Sequence, residues 1–89
     1  MEKSLRDKVT DALKEAAGED ARIELEEVAG GKVGGFVLSG SFAGHSASDR
    51  QDQIWKHLDA RLSTYERTRV VFIVTDTPEE YETLKAASG

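Results

Sequence analysis

Apolar residues in the first stretch of the chain recur at helical spacing, with Leu5, Val9, Ala12, Leu13 and Ala16 falling on one face. Ser4 stands where an N-cap belongs, Asp7 follows three residues on, and Gly18 offers a left-handed C′ position. A helix ending near Ala17 is therefore predicted. The period then changes from 3.6 to two: Arg22-Ile23-Glu24-Leu25-Glu26 alternates charged and apolar residues, as a strand with one wet face does. Gly30-Gly31-Lys32-Val33-Gly34-Gly35 places four glycines in six residues and predicts a flexible hairpin loop. A phosphate-cradling loop is the weaker alternative, since no helix follows and the Gly-Lys-Ser/Thr ending is missing. Phe36-Val37-Leu38-Ser39 then predicts a short strand paired with the first.

From Gly40 to Ser48 the residues are small and polar, and Phe42 is the lone apolar anchor of a brief helical turn. Ser48 with Gln51 has the spacing of a capping box, opening a helix to about Leu62 whose apolar face is Ile54, Trp55, Leu58 and Leu62. Val70-Val71-Phe72-Ile73-Val74 is continuous and largely β-branched, which predicts a strand at the sheet centre, buried on both faces. Thr77-Pro78-Glu79-Glu80 combines a threonine cap, a proline at N1 and a capping-box glutamate, so a last helix runs from Pro78 to about Ala86. The order helix, strand, strand, short helix, helix, strand, helix predicts an α+β, two-layer αββααβα domain with a three-stranded mixed sheet, spanning residues 1–89. No internal repeat or linker interrupts it.

Composition narrows the function. The chain has 89 residues, is 38% hydrophobic and 33% charged, and has the balance of a soluble globular protein. It has no cysteine, which removes disulfides, thiolate metal sites and cysteine nucleophiles. No apolar run approaches a membrane span and the first residues lack a signal-peptide core, so the expected location is cytoplasmic. A net charge of −5 argues against strong non-specific nucleic-acid binding, though not against a local basic patch.

Candidate chemistry is sparse. His45 lies in the small-residue turn, more simply as a solvated loop histidine than as a contact to phosphate or partner; His57 lies on the long helix near the edge of its apolar stripe. Neither has an acid at metal-ligand spacing. Asp49, Asp52, Asp59 and Glu66 are expected to form a solvated face with Arg50, Lys56 and Arg61. Ser39, Ser41, Ser46 and Ser48 are caps and turn residues with no histidine–acid pair beside them, so no enzyme is expected.

Two longer segments are more specific. Ser39-Gly40-Ser41-Phe42-Ala43-Gly44-His45-Ser46, followed by Arg50, resembles the signature of the BolA-like family, and Val70 through Tyr81 is similar to the family's last strand and its threonine-proline-glutamate helix start. The resemblance covers most of the chain and implies a type II KH-like fold. It also implies regulatory roles, in transcription and stress response, through two activities: partnership with monothiol glutaredoxins in iron–sulfur handling, and nucleic-acid binding. The family's usual histidine after the helix-opening arginine is Gln51 here, and the expected cluster ligand before the last strand is Arg69. The hairpin loop, which in relatives donates a cysteine or histidine, holds only glycines, Lys32 and Val33. Gln and Arg are not workable iron ligands, so no cofactor is expected.

The leading expectation is thus a regulatory or adaptor domain that binds a protein partner, of glutaredoxin type, without ligating a cluster. The alternative is a weak DNA-binding regulator using the KH-like turn Gly44-His45-Ser46-Ala47, which lacks the second glycine of Gly-x-x-Gly. Gly44, His45, Ser46, Arg50 and Arg69 are the candidate contacts for either ligand. Basic residues slightly outnumber acids between Phe36 and Arg69, and the acidic excess gathers in Glu19–Glu27 and Asp76–Glu82.

Overall fold

The Ser4 hydroxyl accepts from the Asp7 N–H at 3.1 Å and opens α1 (Leu5–Ala17), which Gly18 ends at φ +106° with its N–H on Lys14 O. Both signals act within one helical turn, which is why the sequence predicts this helix to the residue. The computed structural model describes residues 4–88; the expected domain extends past them at both ends, where Met1–Lys3 and Gly89 lie outside the described residues. After α1 come β1 (Arg22–Val28), β2 (Lys32–Leu38), a 3-10 turn (Gly40–Phe42), α2 (Ala47–Arg61), α3 (Thr64–Thr68), β3 (Val70–Asp76) and α4 (Pro78–Ser88). The expected αββααβα string holds, but its short helix is α3, after the long one. The segment at Phe42 makes only a single 3-10 turn. A capping box that the sequence reading passed over builds α3: Ser63 Oγ accepts from Glu66 N at 3.1 Å while Glu66 Oε1 accepts from Ser63 N at 2.9 Å.

The sheet is three-stranded and mixed, in the order β1-β2-β3. β1 and β2 are antiparallel, with Arg22 opposite Leu38 and Val28 opposite Lys32; β2 and β3 are parallel, with Phe36 opposite Val74. β2 therefore occupies the centre, and β3 is an edge strand rather than the central one its apolar run suggests. Its inward residues Ile73 and Thr75 are buried, but Phe72 and Val74 are 41% and 47% exposed. Helices α1 and α2 cover the inner face and α4 only part of the outer one, so this edge strand keeps its outer residues exposed while central β2 is buried on both faces. A bulge opposite Val33 and Gly34 inserts Val71 and restores the phase.

The hairpin loop is also shorter than predicted. Its turn is Ala29–Gly31, with φ +82° and +73° at Gly30 and Gly31, and β2 already begins at Lys32. Gly34 and Gly35 serve close approach within the strand. A Cβ on Gly35 would stand 2.1 Å from Glu24 O, and one on Gly34 would stand 2.2 Å from the Phe72 ring. α2 is capped by Ser46, whose Oγ accepts from Asp49 N at 3.1 Å, instead of by a Ser48–Gln51 box.

The core lies between the inner sheet face and α1 with α2. Phe42, Leu13, Ile54, Leu58, Val9 and Val37 are its fully buried large side chains, and Phe42 plugs it from the turn after β2. On the other face, Tyr81 of α4 stacks on Phe36 with centroids 5.5 Å apart. No helix among the described residues is long and apolar enough to cross a membrane.

The two kinds of glycine separate in a stability measurement. Gly35→Ala should lower the urea midpoint by an amount equivalent to about 1–3 kcal/mol, as overpacking does. Gly40→Ala, whose Cβ meets nothing within 4 Å, should stay within about 0.5 kcal/mol of the parent. Equal losses in the two variants would contradict the close-approach account.

Candidate functional site

The turn that carries most of the candidate residues is built from the end of β2. Ser39 Oγ donates to Ala17 O at 2.7 Å and accepts from Ser41 N at 3.1 Å, tying the strand end to the end of α1. Phe42 drops into the core, and the backbone then turns outward through Gly44 at φ +79°. Gly44, His45 and Ser46 are exposed. Ser46 is engaged as the α2 cap, and His45 offers its imidazole to solvent.

Arg50 is different. The sequence places it on a solvated helix face, yet it is 7% exposed, because four elements converge on its guanidinium. Its Nε donates to His45 O at 2.9 Å and its Nη1 to Thr75 O at 3.4 Å. Nη1 and Nη2 also grip Glu80 Oε1 and Oε2 at 2.6 and 3.1 Å, a bidentate pair, and the group lies over the Phe42 ring at 5.8 Å. Glu80 in turn accepts from Thr77 N at 2.8 Å as the capping-box residue of α4. The hydrogen bonds from Arg50 first, and from Thr77 second, hold the Glu80 carboxyl down at about 2. Glu80 likewise raises the Arg50 guanidinium further above its ordinary value. Arg50 thus enters the site as a strut beneath the turn, with its donors engaged inside the protein.

Gln51 does similar work one residue on. Its Nε2 donates to Ile73 O at 2.7 Å and its Oε1 accepts from Trp55 Nε1 at 3.1 Å. Ser39 N reaches Asp76 O at 3.0 Å, so the Asp76 carbonyl faces β2 and, by strand alternation, those of Ile73 and Thr75 face away from it. Arg50 and Gln51 therefore cap two outward carbonyls of an edge strand, which blunts that edge against further pairing.

Arg69 stands elsewhere, at the opposite end of β3 from Arg50, a separation of about 20 Å along a seven-residue strand. Its Nη2 donates to Gly30 O and Gly31 O at 2.8 and 2.9 Å, its Nε to Gly31 O at 3.2 Å and its Nη1 to the Tyr65 hydroxyl at 2.8 Å. It also lies over the Tyr65 ring at 5.5 Å. The hairpin turn and the residue before β3 are thus neighbours, a proximity invisible in the sequence. What fills the space between them is a guanidinium, which has no lone pair to give a metal. The five candidate residues accordingly make two places rather than one.

Several other charged residues are paired between helices. His57 Nδ1 lies 3.5 Å from Glu15 Oε1, and Arg61 Nε donates to the same oxygen at 2.9 Å. The Arg61 hydrogen bond is the leading cause that holds Glu15 at about 2. Lys8 meets Glu66 at 2.6 Å, and Asp59 pairs with Arg67. Among the described residues no group of three His, Cys, Asp or Glu could hold a metal ion. Beside the Gly44 turn a cleft of about 640 Å³ is lined by His45, Arg50 and Thr75 together with Asp76, Glu79 and Glu80, so carboxylates dominate its charge.

No protein-family model and no curated protein matches the chain. Solved structures do. A BolA protein homologue from Coxiella burnetii superposes with a TM-score of 0.66 at 22% identity, covering 91% of this chain and 99% of that one. A Bol-like protein from Babesia bovis superposes with a TM-score of 0.58 at 18% identity, covering 89% of this chain and 91% of that one. The chain therefore has the fold of these BolA-type proteins.

A carboxyl held below its ordinary value of 4.5 stabilises the fold above that pH, and the contribution is lost as pH falls through its folded value of about 2. Glu80→Gln keeps an acceptor for Thr77 but removes the charge facing Arg50. The variant should unfold at clearly lower urea than the parent at pH 7, and the gap should close between about pH 4.5 and 2. A gap that does not change with pH would show that the Arg50–Glu80 charge pair is not its source.

Proposed function

We propose that this chain is a BolA-like regulatory or adaptor protein that acts by binding a protein partner, without catalysis and without a metal of its own. The observation that carries the reading is the Arg69 clamp. The resemblance puts cluster ligands at the hairpin loop and just before the last strand. Here those two segments meet through Arg69 and the carbonyls of Gly30 and Gly31. Thiolate or imidazole is what iron–sulfur sites require, and neither is offered there. The residues present do not fit a cluster, so docking to a monothiol glutaredoxin, the partner class the resemblance implies, is metal-independent in this reading.

The nucleic-acid alternative is supported by one feature, the exposed backbone turn at Gly44, whose positive φ would let a phosphate chain come close. Against it stand the engagement of Arg50 by Glu80 and the acidic lining of the adjoining cleft. Protein binding is therefore preferred.

Mixing the protein with a monothiol glutaredoxin under anaerobic conditions, with and without iron and sulfide, tests the proposal. The expected outcome is a colourless heterodimer by size-exclusion chromatography, formed equally well in both conditions. A heterodimer that forms only with iron and sulfide, and carries the visible absorption of a bridging cluster, would overturn it. In parallel, titration with labelled duplex and single-stranded DNA should give no saturable binding at about 50 mM salt. Saturable binding that weakens steeply with added salt would favour the alternative.

A further inference from the structure

The outer face of the sheet is divided lengthwise. Strand register sets its side chains in three rungs: Glu26, Gly34 and Phe72; Glu24, Phe36 and Val74; Arg22, Leu38 and Asp76. Acidic groups thus stand on β1 at Glu26 and at Glu24, which also pairs with Arg22 at 2.8 Å, and apolar groups stand on β3 at Phe72 and Val74, before Asp76 ends the strand. Tyr81 stacks on Phe36, and Leu84 of α4, 59% exposed, continues the apolar side. These residues wall an open groove of about 490 Å³, with Glu24, Glu26 and Asp76 on its rim and Lys85 on α4. At one end of it a Cβ on Gly34 would stand 2.2 Å from the Phe72 ring, so the ring lies down over the central strand instead of standing away from it.

A sheet face that α4 covers only in part lacks the full second layer that normally buries it, and a contiguous exposed apolar patch on a small domain marks an interaction surface. We propose that this groove receives an amphipathic helix of a partner protein, its apolar stripe against Phe72, Val74 and Leu84 and its lysine- or arginine-bearing flank against Glu24 and Glu26. Deepening the partner-binding proposal, the inference rests on it for the existence of a protein ligand. Three rungs span about 13 Å along the strands, which two to three turns of helix would cover. The charge arrangement selects among occupants. A second copy of this chain would bring the same excess of carboxylates to the groove, and a nucleic-acid backbone would bring phosphates. A cationic helix meets the groove's own carboxylates with opposite charge.

The test is titration of the ¹⁵N-labelled full chain with a synthetic amphipathic peptide of about 15 residues, leucines on one face and lysines on the flanks. A twin carries glutamate in place of every lysine. Amide shifts are expected at Glu24–Glu26, Gly34–Phe36 and Phe72–Val74, with the twin bound about tenfold more weakly. Glu26→Lys should narrow or reverse that preference, and Phe72→Ala should weaken both peptides while the α1 amides keep their positions. Equal affinity for the two peptides, shifts centred on Gly44–Ser46 or Gly30–Gly31, or self-association of the chain in sedimentation would each overturn the assignment. The two proposals fail separately. A glutaredoxin that docks while perturbing only other amides overturns the groove and leaves partner binding standing. A groove that takes the basic peptide while no glutaredoxin binds overturns that choice of partner and leaves the groove.

Discussion

The rest of the structure hangs on one buried guanidinium. Arg50 joins the turn after β2, the N-terminal part of α2, the end of β3 and the first turn of α4, through His45 O, Thr75 O and the Glu80 carboxylate. A buried cation is tolerable only when its donors are matched, and here Nε, Nη1 and Nη2 each meet an acceptor while the group lies over the Phe42 ring. Glu80 has two duties at once, counter-charge to Arg50 and cap to the Thr77 N–H. Removing it would leave the guanidinium buried without a counter-ion and the helix start without its capping acid. The Gly44 turn is therefore held from below by a charge pair, while its upper surface stays open.

A second constraint follows from having helices α1 and α2 on a single sheet face. It places the core on one side, between those helices and Val37, Val70 and Ile73 of the sheet. On the other side it leaves the rungs of β1, β2 and β3 to α4, whose Tyr81 covers Phe36 and whose Leu84 is largely exposed. Gly34 and Gly35 make this arrangement fit from both directions, one beneath the Phe72 ring and the other against the β1 backbone. The outer face is thus neither an ordinary wet sheet surface nor a second core.

What the sequence made legible was local. Ser4, Gly18, Thr77, Pro78 and Glu80 act within a turn of the helix ends they mark, and Phe42, Ile54 and Leu58 declare themselves by spacing. What it hid depends on distant neighbours. The glycines of β2 look like loop formers, because nothing nearby says that Glu24 O and the Phe72 ring will crowd them. The apolar run of β3 looks like a central strand, because both burial and an open apolar face favour the same residues. Ser63 and Glu66 did carry the signal for α3, but a five-residue helix has no apolar stripe to support it. At the candidate site, Arg50 reads as one more charge on a helix until Glu80, thirty positions later, is brought to it. The distance between Arg69 and the Gly44 turn is equally absent from the sequence.

The parallel pairing of β2 with β3 has a consequence for how the chain reaches this state. β1 and β2 meet through a three-residue turn, but Val33 finds Val70 only after all of α2 and α3 has been folded back. Contacts of that separation close a long loop before they return any stabilisation, and they form late and slowly. Until they do, Val70-Val71-Phe72-Ile73-Val74 is an uncharged, β-prone segment without its partner strand, the kind that associates between chains. Arg69 and Asp76 flank it at either end, and Arg50 and Gln51 later close off its outward carbonyls. The same residues that shape the native edge thus also stand as gatekeepers over the most aggregation-prone stretch of the nascent chain.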